Sequence, residues 1–296
     1  MTIAKINDID MYYEEHGDPN AEPLLLIMGF TMNAAAWAPQ IPALSQRYRV
    51  IAFDNRGAGR SAQPEGPYSI AQMTADAAAL LDHIGIESAH IIGASMGGMI
   101  AQEFALRYPG RVRGLVLSCT TPGGPHSVGY EEMMATSEDG LAMTDLSEML
   151  KPARVKEGID LMFTPEFLAH PGPGLLQMGS AAMLYPQTLT GMKGQLAAVR
   201  AHDTYDRLPK ITAPTLVIAG DADMLVDARN SPILASRIPG AKLVMLPGQR
   251  HGFTAEKPAE TNAAILDFLA QVDVKPLPRE RKPSFWSRLF GRRAAA

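Results

Sequence analysis

Hydrophobic residues occur along this chain in short uninterrupted runs that alternate with segments of helical spacing. Runs rich in Leu, Ile and Val occupy residues 23–28, 48–53, 89–93, 113–118, 213–220 and 241–247. Uninterrupted runs of this length are typical of strands covered on both faces, as in a parallel sheet. Residues 69–85 have apolar positions at helical spacing, with Ser69 as the expected N-cap and Gly85 as the expected C-terminal cap. Residues 254–271 are predicted to form the last helix, and the alternation predicts an α/β fold.

The alternation is interrupted once, between residues 122 and 208. This segment has short helical patterns broken by Pro and Gly, and it holds 8 of the 17 methionines of the chain. Unbranched Met side chains adapt to irregular apolar shapes, which suits a lid over an apolar pocket, although ordinary helical core is the alternative. We therefore expect a core formed by residues 1–121 and 209–272, with a helical lid, residues 122–208, inserted between two strands.

Composition and charge narrow the class of protein. The chain has 296 residues, 46% of them hydrophobic, and a net charge of -4, which argues against a nucleic-acid partner and favours a small-molecule substrate. The N-terminus lacks the pattern of a secretory signal, and no apolar stretch reaches membrane-spanning length, so a cytoplasmic protein is expected. The single cysteine, Cys119, excludes an internal disulfide, and no Cys/His spacing predicts a metal site.

The last residues, 273–296, differ from the rest of the chain. Seven basic residues against two acidic ones give this tail a net charge of +5. Phe285, Trp286, Leu289 and Phe290 would share one face of a short helix beside arginines. A basic amphipathic segment could contact an anionic membrane surface, but a helix this short is marginal alone, so a flexible tail is the favoured interpretation. The sequence leaves the oligomeric state open.

Ser95 lies at the point where an apolar run gives way to a helical pattern. Residues 93–97 read Gly-Ala-Ser-Met-Gly and match G-x-S-x-G, in the strand-turn-helix context that this motif requires. A tight turn there would present the serine hydroxyl outward, and small neighbours would keep the backbone from clashing with itself. A glycine-rich turn without chemistry is the alternative interpretation.

A serine hydroxyl becomes a good nucleophile only when a base takes its proton, and that base is normally a histidine oriented by a carboxylate. Asp221 and Asp223 follow the apolar run that ends at residue 220, and His251 lies in a Gly-flanked loop after the next run. Asp223 is preferred as the acid and Asp221 is the alternative, although capping of the turn is a second interpretation of either aspartate. The order Ser95, Asp223, His251 is one of the known orders of a catalytic triad.

These residues make the chain resemble the α/β-hydrolase superfamily over residues 3–271. The stretch FDNRGAGRS, residues 53–61, resembles the D-x-R-G-x-G-x-S loop of that family. The stretch AGDADMLV resembles its G-x-x-D segment, and this match assigns the acid to Asp223. The resemblance implies an eight-stranded, mostly parallel sheet flanked by helices, with an inserted helical lid. Asp54 and Arg56 are expected to brace neighbouring loops rather than to react.

The resemblance also implies an oxyanion hole, which is a pair of backbone N–H groups that bind the negatively charged oxygen of the transition state. One donor would be the N–H of Met96, and the other would be the N–H of Phe30. Members of the family often have His-Gly where this chain has Met28-Gly29, so the support of this loop differs here. Each donor of such a hole contributes roughly a hundredfold to a thousandfold in rate.

Within the superfamily the chain is most similar to bacterial carboxylesterases, enol-lactonases and the methylesterases of polyketide pathways. This similarity implies a serine hydrolase that cleaves a small to medium carboxylic ester or lactone through an acyl-enzyme, with no metal or organic cofactor. Hydrolysis of a carbon–carbon bond and acyl transfer would use the same triad. A non-catalytic ligand-binding protein of the same fold is a further alternative, but it would be expected to lack a member of the triad.

Overall fold

An eight-stranded sheet organises the chain in the computed structural model, which describes residues 2–131, 151–172, 175, 179 and 184–273. The strands are β1 (Thr2–Ile6), β2 (Ile9–His16), β3 (Glu22–Ile27), β4 (Tyr48–Phe53), β5 (Ala89–Ala94), β6 (Val112–Ser118), β7 (Thr215–Gly220) and β8 (Lys242–Leu246). Their order in the sheet is β1-β2-β4-β3-β5-β6-β7-β8. The β1–β2 and β2–β4 pairs are antiparallel and all other pairs are parallel, which confirms the mostly parallel α/β sheet.

Each predicted apolar run contains one of the strands β3 to β8. The two strands outside these runs, β1 and β2, lie at the antiparallel edge of the sheet. In β1 most side chains are exposed, with only Ala4 and Ile6 buried, so this strand has no uninterrupted apolar run. Strands β5 and β7 are buried along their whole length, because helices cover both faces of the parallel part of the sheet.

Helices fill the connections between the strands. The described α-helices are α1 (Ile41–Leu44), α2 (Ile70–His83), α3 (Met96–Arg107), α4 (Pro152–Met162), α5 (Pro165–Ala169), α6 (Leu189–Arg200), α7 (Asn230–Arg237), α8 (Phe253–Glu256) and α9 (Pro258–Asp273). The predicted caps of α2 are present. The side chain of Ser69 accepts a hydrogen bond from the backbone N–H of Gln72, and Gly85 follows the helix with a φ of +73°.

Two apolar layers lie on opposite faces of the sheet. Successive side chains of a strand point to opposite faces, so Leu25 and Ile27 of β3 belong to one layer and Leu24 and Leu26 to the other. The first layer is completed by helices α2, α3 and α7, and the second by α9 and the segment around Trp37. This arrangement leaves the carboxyl ends of the parallel strands as the edge at which loops can form a site.

The described part of residues 122–208 contains α4, α5 and α6, and its only described strand pairing is an isolated bridge between Gly123 and Asp203. Six of the eight methionines counted in this segment lie outside the described residues, namely Met133, Met134, Met143, Met149, Met178 and Met183. The division into core and lid therefore stays a prediction. The apolar tail residues Phe285, Trp286, Leu289 and Phe290 also lie outside the described residues. Among the helices that are described, none is long and apolar enough to cross a membrane.

Candidate active site

Ser95 occupies the sharp turn between β5 and α3. Its φ of +55° and ψ of -121° form a backbone conformation that residues with a Cβ rarely adopt, and such a residue costs about 1–3 kcal/mol unless its surroundings hold it. Four hydrogen bonds from described residues hold the Ser95 peptide groups here. Its N–H donates to the carbonyl oxygen of Ser118 over 2.9 Å. Its own carbonyl oxygen accepts from the Gly98 N–H and the Thr120 hydroxyl, each over 2.8 Å, and from the Met99 N–H over 3.3 Å.

The glycines that flank Ser95 are required by close backbone contacts on both sides of the turn. A Cβ on Gly93 would overlap the carbonyl oxygen of Gly97, and a Cβ on Gly97 would overlap the carbonyl oxygen of Ile27 in β3. Only a residue without a side chain allows helix α3 to approach the sheet this closely. The turn predicted from the G-x-S-x-G pattern is therefore present, and it presents Ser95 as a half-buried residue at the edge of the sheet.

His251 and Asp223 form a buried pair. The Nδ1 atom of His251 lies 2.7 Å from the Oδ2 atom of Asp223, and the two residues are 6% and 4% exposed. The other carboxylate oxygen, Oδ1, accepts hydrogen bonds from the backbone N–H groups of Leu225 and Val226, each over 3.0 Å. Because the carboxylate can only accept, the proton lies on Nδ1, and the Nε2 atom of the neutral ring is left able to accept a proton.

Asp221, the alternative acid, has a different place. Its Oδ1 atom accepts a hydrogen bond from the backbone N–H of Gly248 over 2.6 Å, and the residue is exposed. Asp221 thus ties the turn after β7 to the turn after β8. The structure brings Asp223, and not Asp221, against the ring of His251.

The surroundings of His251 favour its charged form. Burial opposes that charge and by itself would lower the pKa of the ring. The sulfur of Cys119, within hydrogen-bonding reach of the ring, and the carboxylate of Asp223 outweigh burial, and the pKa of His251 lies well above its ordinary value. The ring is therefore neutral, and able to act as a base, only at a pH above that raised value.

The loop after β3 lies directly beside Ser95. A Cβ on Gly29 would be 2.9 Å from the Cβ of Ser95, so this position also requires glycine. The side-chain amide of Asn55 donates to the carbonyl oxygen of Met28 over 2.8 Å and holds the start of the loop. Phe30, the predicted donor, follows Gly29. The other predicted donor, Met96, is the first residue of α3, where a backbone N–H has no partner within the helix.

These groups lie at one edge of the sheet because they follow neighbouring parallel strands. Ser95 comes after β5, Cys119 after β6, Asp223 after β7 and His251 after β8, and these four strands are adjacent in the sheet in that order. The carboxyl ends of parallel strands lie at one edge, which is where open α/β sheets bind their ligands. Residues far apart in sequence are thus gathered in one place by the strand order.

Other residues brace the site. As expected, Asp54 and Arg56 hold loops: Asp54 accepts from the N–H of Ala34 over 2.7 Å, and Arg56 pairs with the buried Asp76 over 2.7 Å. Sequence reasoning missed Cys119 as a neighbour of His251, although its position after a predicted strand was a signal that could have located it. It also missed the buried Gln195 of helix α6, which no motif marks.

No group of three or more His, Cys, Asp or Glu side chains in the described part of the chain could hold a metal ion. The arrangement of the site is instead that of a serine next to a glycine-lined loop, with a buried histidine–carboxylate pair at the same sheet edge. This combination is typical of α/β enzymes that attack carbonyl groups.

Comparison with known proteins places the chain in a family. The profile of the α/β-hydrolase fold family matches residues 22–258. The chain belongs to this family, and the sheet described above is its fold. The chain is accordingly a hydrolase.

Similar proteins cover almost the whole chain. A protein of Azorhizobium caulinodans named "Putative carbamate hydrolase RutD" is 34% identical over 275 residues, which cover 92% of this chain and 100% of the relative. A protein of the same name from Variovorax paradoxus is 32% identical and covers 90% of this chain and 99% of the relative.

Among solved structures, a hydrolase from Pseudomonas aeruginosa PA01 superposes with a TM-score of 0.78 at 31% identity, over 90% of this chain and 97% of that chain. The enol-lactonase from Burkholderia xenovorans LB400 superposes with a TM-score of 0.77 at 27% identity, over 91% of this chain and 100% of that chain. Both are matched over nearly their full length, so the similarity extends beyond the sheet alone.

Proposed function

We propose that this chain is a serine hydrolase that cleaves a small to medium carboxylic ester or lactone through an acyl-enzyme. The observation that carries the proposal is the buried His251–Asp223 pair, with its 2.7 Å contact, at the same edge of the sheet as the turn that presents Ser95. A serine in a strained turn, a histidine whose neutral form can take its proton and an orienting carboxylate are the parts that acyl transfer requires.

In the proposed reaction, Nε2 of His251 takes the proton of the Ser95 hydroxyl while its oxygen attacks the substrate carbonyl carbon. The backbone N–H groups of Met96 and Phe30 bind the oxygen that becomes negative in the tetrahedral intermediate. The carbon–oxygen bond to the leaving alcohol then breaks, and His251 gives that oxygen its proton. Water, deprotonated by His251, attacks the acyl-enzyme and releases the acid and the free Ser95 hydroxyl. Asp223 holds the ring in the required tautomer throughout, and no metal or organic cofactor takes part.

The substrate class is proposed from the neighbours. The similar structures include an enol-lactonase and, at 25% identity, a thermophilic esterase from Thermogutta terrifontis, which supports an ester or lactone. The relatives named as carbamate hydrolases support a second candidate, a carbamate, whose carbonyl would be attacked in the same way with an amine or an alcohol leaving. Carbon–carbon bond hydrolysis and acyl transfer use the same residues and differ only in products.

The test is the turnover of purified wild-type protein and of Ser95→Ala with short-chain p-nitrophenyl esters, lactones of different ring size and an aryl carbamate. We expect turnover of at least one ester or lactone by the wild type and a fall in kcat of about a millionfold in Ser95→Ala, because the nucleophile is removed. Unchanged turnover in the variant would contradict the proposed mechanism. Product analysis then separates the classes: turnover only of the carbamate would select the second candidate.

A small-molecule substrate, no nucleic-acid partner and a cytoplasmic location remain expectations from the sequence, as does any contact of the basic tail with a membrane surface. The oligomeric state is open in the same way. None of these enters the proposed mechanism.

A further inference from the structure

A glutamine is buried between helix α6 and the loop that follows β3. Gln195 is 0% exposed, and its side chain makes three hydrogen bonds. Its Oε1 atom accepts from the backbone N–H of Thr31 and from the side-chain amide of Gln187, each over 3.0 Å. Its Nε2 atom donates to the carbonyl oxygen of Arg56 over 2.9 Å. A buried amide satisfied on both its oxygen and its nitrogen has one orientation, because any other would leave polar atoms unpaired.

The Thr31 N–H that Gln195 binds is one residue beyond the predicted oxyanion donor, Phe30. Thr31 has a φ of +64°, in the left-handed region that β-branched residues avoid. Such a conformation costs about 1–3 kcal/mol and persists only where neighbouring groups hold it. The bond to Gln195 is a contact of this kind, and it comes from a different part of the chain, 164 residues further on.

The peptide group that carries the Phe30 N–H therefore lies between two fixed points. On one side, Asn55 holds the carbonyl oxygen of Met28 over 2.8 Å. On the other side, Gln195 holds the N–H of Thr31 over 3.0 Å. With both neighbouring peptide groups held, the peptide group between Gly29 and Phe30 keeps its direction relative to Ser95, which Gly29 touches.

We propose that Gln195 is a positioning residue for the oxyanion hole. By holding Thr31 it orients the Phe30 N–H toward the place where the negative oxygen develops. Helix α6, which carries Gln195, thereby contributes to the catalytic apparatus. This inference rests on the proposed function, since it concerns the same transition state. Electrostatic stabilisation of this kind depends on donors that are already oriented before the reaction.

The same helix offers a matched control. Gln63 accepts hydrogen bonds from the backbone N–H and the hydroxyl of Thr188, the N-cap of α6, over 2.7 and 2.8 Å. It ties α6 to the core as Gln195 does, and no hydrogen bond of its side chain goes to residues 28–31 within the described part of the chain. Gln63→Met and Gln195→Met make the same change of side chain. They differ in which loop loses its contact and in burial, since Gln63 is half-buried and Gln195 is fully buried.

The experiment measures kcat and KM with p-nitrophenyl acetate, and the rate at which a fluorophosphonate probe labels Ser95, in wild type, Gln195→Met and Gln63→Met. In Gln195→Met we expect kcat and the labelling rate to fall roughly tenfold to a hundredfold while KM changes less than about twofold, because a donor displaced by about 1 Å loses transition-state stabilisation. In Gln63→Met both rates should stay within about twofold of wild type. Equal effects in the two variants, or a rise in KM with unchanged kcat, would overturn the proposal.

If Gln195→Met does not fold, the variant Gln195→Glu tests the same proposal. Gln195→Glu has the same size and keeps an acceptor for the Thr31 N–H, and while protonated it can still donate to the Arg56 carbonyl. When it ionises, it places a negative charge near the developing oxyanion and loses that donor. The ratio of its kcat to that of wild type should therefore fall as pH rises, with KM unchanged. A ratio that does not depend on pH would contradict the inference.

Ser95→Ala separates this inference from the function on which it rests. If wild type is not labelled, or if Ser95→Ala is labelled and turns over substrate as wild type does, the proposed function fails. If labelling and turnover depend on Ser95 but Gln195→Met equals wild type, only the role of Gln195 fails.

Discussion

The two sides of the site are held in place by different means. On the serine side, backbone shape is decisive: glycines at positions 29, 93 and 97 let α3, β3 and β5 approach so closely that Ser95 is held in a strained turn. On the histidine side, side chains are decisive, since the Asp223 carboxylate lies 2.7 Å from the ring of His251 and, together with Cys119, raises the pKa of that ring. Substitutions on the serine side should therefore lower the free energy of unfolding. Substitutions on the histidine side should lower activity with little change in stability.

Hydrogen bonds to the end of α4 and to the residues that follow it also hold the loop of His251. The Gly252 N–H donates to the carbonyl oxygen of Met162 over 2.6 Å, and the Arg250 side chain donates to the carbonyl oxygen of Phe163 over 3.2 Å. The carboxylate of Glu256 accepts from the N–H of Thr164 over 2.6 Å and from its hydroxyl over 2.8 Å. Polar contacts of this kind hold the loop of His251 together with two glycines: Gly248 has a φ of +67°, and a Cβ on Gly252 would overlap the ring of Phe163.

The sharpest test of the comparison is Asp223→Asn. We expect kcat to fall by about ten-thousandfold with little change in thermal stability, because an amide keeps the shape but favours the wrong tautomer of the histidine. Steady-state kinetics and a melting curve on the same sample check both parts. Asp221→Asn is the control, and it should keep the activity of wild type. Activity retained in Asp223→Asn would mean that the pair does not orient the base.

The serine side should respond to Gly97→Ala. The added methyl group would overlap the carbonyl oxygen of Ile27, and the backbone must move to relieve the contact. We expect a loss of about 1–3 kcal/mol in the free energy of unfolding together with a large fall in the labelling rate of Ser95. Urea denaturation and fluorophosphonate labelling measure the two effects.

Gly158→Ala is the control for that variant. Gly158 lies in α4, is exposed, and has no atom within 4 Å of the Cβ that alanine would add. Alanine is the better helix former, so the variant should be as stable as wild type or up to about 1 kcal/mol more stable. If Gly97→Ala is equally harmless, the turn does not depend on close approach.

A smaller effect is expected from Thr164→Val, which removes the hydroxyl that donates to Glu256 and keeps the shape of the residue. The variant leaves this carboxylate with one fewer donor and also removes the N-cap of α5, because the same hydroxyl accepts from the Phe167 N–H over 3.2 Å. We expect a loss of about 1–2 kcal/mol in the free energy of unfolding. Activity should fall only a few-fold, because His251 keeps its bond to Asp223. A variant as inactive as Asp223→Asn would show that the contacts of α4 and α5 also set the chemistry.

The smallest effect concerns pH. The base must be neutral, so kcat/KM should fall as pH drops through the pKa of His251, which lies above its ordinary value. Cys119→Ala removes one of the two groups that favour the charged ring, and it should move this acid limb to lower pH. A profile of kcat/KM against pH for the two proteins measures the shift. An acid limb below pH 6, already in wild type, would contradict the raised pKa.

Much of the fold could be predicted because each parallel strand is built largely from a short apolar run. Strands β3 to β8 overlap such runs, whereas in β1 and β2 polar residues such as Lys5 and Asp10 interrupt the apolar ones. The caps of α2 were equally local signals, since Ser69 and Gly85 act on the helix next to them. The candidate site could be located to the same extent, since Ser95, Asp223 and His251 each follow a predicted strand.

The sequence by itself determined the alternation of strands and helices, the serine turn with its glycines and the order of the predicted triad, because each depends on residues close together in the chain. The resemblance of AGDADMLV had already assigned the acid to Asp223, and the tertiary structure brings that residue against His251. Only the tertiary structure decided that Cys119 lies near the ring and that Gln195 reaches the loop after β3. These are contacts between residues far apart in sequence. The strand order and the packing of α6 bring them together, and no short-range pattern carries that information.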